Sequence, residues 1–142
     1  MTSKKEGTVV GIDVGKAWLD VNVYGETKVT RWPNDSLGIS QLGEQLDKLA
    51  IQLVVVEASG GWERKVHAEL SGRGLSVAVV NPTRVRSFAR AMGELAKTDP
   101  IDSRNLAEFG VKIEPKAQQM VSAAREKLAA LVTRRYQVIT MI

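Results

Sequence analysis

Three short apolar runs constrain the fold more than anything else in the chain: "VVGIDVG" around Asp13, "IQLVVVEAS" around Val55 and "LSVAVV" around Val77. Each is apolar at successive residues rather than at alternate ones. That pattern suits central parallel strands covered on both faces and joined by right-handed crossovers. Between the first two runs the pattern changes. In "AWLDVNVYG", Trp18, Asp20 and Asn22 take one face and Leu19, Val21 and Val23 the other, as in a strand with two different sides. "TKVTRW" is more polar, carries Lys28 and Arg31, and stops at Pro33, which suits a solvent-facing edge. The connections are short, so the first run and these two strands form an antiparallel meander.

Helical spacing fills the remaining segments. Ile39, Leu42, Leu46 and Leu49 recur at 3-4-3 intervals behind a cap at Asp35 or Ser36. After the Gly60-Gly61 turn, Trp62, Val66 and Leu70 recur every four residues. Asn81-Pro82 ends the third apolar run and leads into a basic helix, "TRVRSFARAMG", whose Val85, Phe88 and Met92 read as core. Three strands, helix, strand, helix, strand and further helices make a mixed five-stranded sheet flanked by helices, the α/β pattern of the ribonuclease H-like fold. From Lys116 onward there is neither glycine nor proline, and Val121, Ala124, Leu128, Leu131 and Val132 make an apolar stripe. The expectation is a domain over residues 1–112 and, over 113–142, a long helix that either begins a connection to a further domain or serves as an oligomer seam.

Composition narrows the chemistry. There is no cysteine and a single histidine, His67. Thiolate and histidine-built metal sites are therefore disfavoured, and carboxylate oxygens are the plentiful ligands. The N-terminus has no apolar signal region, and "LAIQLVVVEA" is too short to span a bilayer, so a cytoplasmic protein is expected. A net charge of +4 is compatible with nucleic acid without demanding it.

Two carboxylates stand out. Asp13 interrupts a run that reads as buried on both sides, where an unpaired charge costs several kcal/mol. Glu57 closes the second run, and open α/β sheets gather ligands at such carboxyl ends. Each has a structural alternative: an ion pair with Lys16 for Asp13, a solvated strand end for Glu57. A second pair lies in "KTDPID", where Asp99 suits an N-cap, Pro100 the first helical position and Asp102 the first turn. If the first two strands are parallel neighbours and this helix starts beside them, Asp13, Glu57, Asp99 and Asp102 converge. Four such carboxylates repel one another unless divalent cations lie between them. Hard oxygen donors select Mg²⁺ or Mn²⁺, and two ions about 4 Å apart suit phosphoryl transfer. Arg84, Arg86, Arg90 and Lys97 are candidate phosphate contacts, with a solvated helix face as their structural alternative.

"GIDVGKAWLDV", "VVVEASGGWE" and "VNPTRVRSFARAMGELAKTDPIDSRNLAEFG", in that order, closely resemble the N-terminal half of the DEDD transposases, the insertion-sequence-110 group that includes the Piv-type DNA invertases. The "NPTRVRSFARAMG…KTDPID" run is the most specific element. The resemblance implies a RuvC-like domain with Asp13, Glu57, Asp99 and Asp102 on the family's four acidic positions, and Mg²⁺-dependent DNA cleavage and strand transfer. It implies DNA as partner, a homo-oligomer (dimer or tetramer), a nucleoid-associated bacterial or archaeal setting and, as in some members, a structured non-coding RNA guide. It also implies a C-terminal domain supplying a serine, which these residues do not contain. Two other readings remain: a fragment of an actin- or sugar-kinase-like ATPase using "GIDVGKA" as a phosphate hairpin, and a non-catalytic nucleic-acid or oligomerisation module.

Overall fold

The computed structural model describes residues 7–96 and 98–118. Five strands and four helices follow in the order β1 (Thr8–Val14), β2 (Trp18–Val23), β3 (Val29–Pro33), α1 (Ser36–Asp47), β4 (Ile51–Glu57), α2 (Arg64–Gly72), β5 (Val77–Val80), α3 (Pro82–Ala91) and α4 (Ser103–Ile113). They form one sheet in the order β3-β2-β1-β4-β5. The meander β1-β2-β3 is antiparallel, and β4 and β5 add parallel to β1. This is the mixed five-stranded sheet expected from the pattern, with β3 at one edge.

The continuous apolar runs supply both faces. Val10, Ile12, Val14, Val54, Val56 and Val77 pack with Leu19, Val21 and the inner residues of α1 and α2. Val9, Leu53, Val55, Ala78 and Val80 pack on the other face with Val85, Ile101, Leu106 and Phe109 of the α3–α4 side. Alternation along each strand therefore assigns Gly11, Asp13 and Glu57 to the α3–α4 face. There, α4 lies across β1 and extends against β4 and β2.

Local signals set the helix starts. Asp35 caps α1 by accepting from the Gly38 N–H at 2.7 Å, and Asn81 caps α3 ahead of Pro82. Four expectations are corrected. Helix α1 stops at Asp47, so Leu49 falls beyond it and is exposed; α2 begins only at Arg64, leaving Trp62 outside the helix. Met92, past the end of α3, is exposed rather than core. Residues 114–118 are not helical: Gln118 pairs with β5, its N–H donating to the Val77 carbonyl and its Oε1 accepting from the Val79 N–H. A free strand edge rewards such pairing more than one further helical turn would. The rest of the expected long helix, and Lys97, lie outside the described residues.

One close approach governs how α4 sits. A Cβ built on Gly11 would overlap the Ser103 carbonyl oxygen and come within 2.5 Å of the Ala107 nitrogen. These are backbone atoms, so only movement of the helix could relieve the clash. Gly11→Ala should destabilise the fold by about 1–3 kcal/mol, the usual cost of overpacking, measured as a lowered urea midpoint. Gly72→Ala, where an added Cβ meets nothing within 4 Å, is the matched control and should be neutral or stabilising.

Candidate metal and nucleic-acid site

The parallel register brings Ile12 beside Val56, so Asp13 and Glu57, the next residues, end adjacent strands on the same face. On its other side Asp13 stands directly opposite Asp20 of β2, and Asp20 directly opposite Arg31 of β3. One row of charges therefore crosses four strands: Glu57, Asp13, Asp20, Arg31. Arg31 holds Asp20 in a two-pronged ion pair, Nε to Oδ1 at 2.9 Å and Nη2 to Oδ2 at 3.2 Å. Like charges directly opposite each other weaken a sheet. Asp13 and Asp20 persist because Arg31 partly compensates them and the two cores carry the stability.

The electrostatics show which groups meet. Burial pushes the Asp13 carboxyl above its usual value, the charges of Asp20 and Asp102 push further, and Arg31 offsets part of this. Glu57 is raised by burial and then by Asp13, with Arg86 opposing. Asp13, Glu57 and Asp102 thus share one electrostatic neighbourhood, although they come from β1, β4 and the start of α4. Among the described residues, no three histidine or carboxylate side chains already stand close enough together to hold an ion. The donor set nevertheless fits a hard divalent cation: half-buried oxygens whose mutual repulsion such an ion would remove.

The expectation for the second pair is corrected in detail. Asp102, not Asp99, is the N-cap of α4. Its Oδ1 accepts from the N–H groups of Arg104 and Asn105, and Asn105 Oδ1 accepts from the Asp102 N–H, completing a capping box. Oδ2 pairs with Arg104 at 3.2 Å. Asp99 precedes the helix and closes a turn, its Oδ2 accepting from the Ala96 N–H. The pair therefore does not share a helical face. Buried Ile101 anchors the chain between them, and Asp102 has the extended backbone of a cap. The signal was present in "DSRN", where asparagine follows three residues after the aspartate.

The basic residues separate into different roles. Arg86 Nη1 donates to the Asp99 carbonyl, tying α3 to the segment that leads into α4. Arg84 sits over the Phe109 ring, 5.5 Å from its centroid. Arg90 is exposed in the last turn of α3. Asp20 and Arg31 escaped the sequence reading of the site. Their signal was the alternation of β2, which placed Asp20 on a face that only strand pairing could show to be the face of Asp13. Glu63 also emerges. Burial would raise it, but hydrogen bonds from the Ser59 N–H, the Gly61 N–H and the Ser59 hydroxyl prevail and hold it below its usual value.

Against known proteins, residues 10–142 match the family model of the DEDD, insertion-sequence-110 type, described as a transposase. The pilin gene-inverting proteins of Moraxella bovis and Moraxella lacunata are 30% and 31% identical over 138 and 140 residues. Each match covers 90% of this chain and 42% of the relative, so the chain spans less than half the length of those relatives. The fold is similar to T. thermophilus RuvC, solved in complex with a Holliday junction substrate, with a TM-score of 0.54 at 15% identity over 80% of this chain and all of that one.

Because folding raises Asp13 and Glu57, these two carboxyls bind more protons in the folded than in the unfolded chain just above the ordinary carboxylate range, and their contribution to stability falls as pH rises through that window. In metal-free buffer Asp13→Asn should therefore flatten this decline and exceed the wild type in stability at neutral pH, read from urea midpoints at pH 4 and pH 7.

Proposed function

This chain belongs to the DEDD transposase family of the insertion-sequence-110 group, and from that premise we propose that it is the metal-dependent, RuvC-like DNA-cleaving part of a recombinase. The observation that carries the reading is the pair of half-buried carboxylates, Asp13 and Glu57, ending neighbouring parallel strands with the charge of Asp102 acting on the first. Asp13, Glu57 and Asp102 would hold the divalent ions, Mg²⁺ or Mn²⁺, with Asp99 as the fourth ligand from the adjoining turn. When bound, such ions polarise a phosphodiester and favour the ionised form of an attacking oxygen. The chain's own residues do the positioning. Arg31 keeps Asp20 in place beside Asp13, Arg86 steadies the Asp99 segment, and Arg90, with Lys97 and Arg84, offers cations to the phosphate backbone. The inverting activity named for the Moraxella relatives supports DNA inversion or insertion as the reaction of the whole protein.

The alternative module without catalysis makes opposite predictions. If the carboxylates are ligands, Mn²⁺ at about 100 times its Kd should stabilise the wild type by about 2.7 kcal/mol, seen as a raised Tm. Asp13→Asn should abolish that response. Asp102→Ala separates cap from ligand: loss of the cap alone costs about 0.5–2 kcal/mol and spares the Mn²⁺ response, whereas loss of a ligand removes it. Undiminished Mn²⁺ stabilisation of Asp13→Asn would refute the assignment.

Arg90 is the cleanest test of DNA contact, being exposed and taking no part in the hydrogen bonds that hold the Asp99 turn. Arg90→Glu should weaken DNA binding at all sequences and reduce the slope of log K against log salt by about 1, measured by fluorescence anisotropy over a salt series. Unchanged affinity and slope would return it to a solvated surface.

A further inference from the structure

Resting on the reading that this chain acts on DNA, we propose that Trp62 is a stacking platform for one unpaired base of the bound DNA, with Lys16 meeting that nucleotide's phosphate. Trp62 lies in the loop that follows β4, at the carboxyl end of the sheet near Asp13 and Glu57, and the residue is 49% exposed. A half-exposed indole presents a π-face on which a flat partner can stack. Among the described residues no other ring stacks on it.

The loop beneath the indole is fixed with unusual thoroughness for an exposed residue. Asn34 Nδ2 donates to the Trp62 carbonyl at 3.1 Å and to the Gly15 carbonyl at 2.8 Å, joining the loop after Glu57 to the turn after Asp13. Glu63 Oε1 accepts from the Ser59 N–H at 3.0 Å, the Ser59 hydroxyl at 3.1 Å and the Gly61 N–H at 3.0 Å. Gly60 and Gly61 hold φ values of 73° and 115°, which other residues rarely adopt. These constraints hold the backbone that carries the indole while the residue stays half exposed, so less of the loop remains to be ordered when a flat partner stacks on the ring.

Charge chooses the partner. The Lys16 ammonium lies over the ring, 5.9 Å from its centroid, and among the described residues no carboxylate pairs with it. A π-face with an uncompensated cation beside it matches a nucleobase and its phosphate. Trp18 is 48% exposed with Arg31 at 5.6 Å, but that guanidinium is committed to Asp20. Trp62 is therefore the ring whose cation can still meet an anion.

The test compares a duplex carrying one unpaired base with the same duplex carrying an abasic residue at that position. Binding is measured by anisotropy in metal-free buffer with the whole chain. The wild type should prefer the base-bearing duplex by about tenfold. Trp62→Ala should bind both duplexes alike, and Trp62→Phe should keep most of the preference. Lys16→Ala should weaken both complexes while leaving the preference. A wild type that binds DNA without preferring the base, or a Trp62→Ala variant that keeps the preference, overturns the stacking role alone. A wild type that binds neither duplex overturns both this role and the DNA-acting reading.

Discussion

The approach of α4 onto β1 over Gly11 is the contact on which the arrangement of the carboxylates depends. A helix of ordinary girth laid on a strand is held off by the side chains beneath it. Here the first turn descends until Ser103 and Ala107 occupy the space a Cβ would need. Gly11 lies two residues before Asp13 on the same face, so the start of α4 arrives beside that carboxylate. The capping box then fixes where the helix begins, and Leu106 and Phe109 hold its length against the sheet. The charge of Asp102 reaches Asp13 because a strand lacks one methyl group.

The second constraint is electrostatic. A row running Glu57, Asp13, Asp20, Arg31 across four strands concentrates negative charge where burial already disfavours it. The arginines stand at its flanks: Arg31 beyond Asp20, and Arg86 on the far side near Glu57. They limit the repulsion without neutralising Asp13, which has neither an ion-pair partner nor a hydrogen bond among the described residues that would hold its charge. Such a row weakens the fold, and the two hydrophobic clusters on either side of the sheet compensate.

Much of this was legible before the tertiary structure. The continuous runs identified β1, β4 and β5; Asp13 stood out as a charge interrupting a run that reads as buried, whereas Glu57 stood at a strand end where a solvated glutamate is also ordinary. Misjudgements fell where two local signals competed. Asp99 and Asp102 both precede residues that can open a helix. Proline after the first favoured it as cap, while the asparagine partner and the buried Ile101 decided for the second. Leu49, Trp62 and Met92 continued helical spacings beyond the real helix limits, and periodicity by itself does not mark where a helix starts or stops.

The sequence by itself determined the strands, a helix start at Asp35 or Ser36 and the edge character of β3, because each depends on residues a few positions apart. Only the tertiary structure decided which charges meet. Asp20 joined Asp13 through strand register, Asp102 through the descent of α4 over Gly11, and Trp62 joined Lys16 through the loop held by Asn34. Each of these is a contact between segments distant in the chain, set by pairing and packing rather than by neighbouring residues.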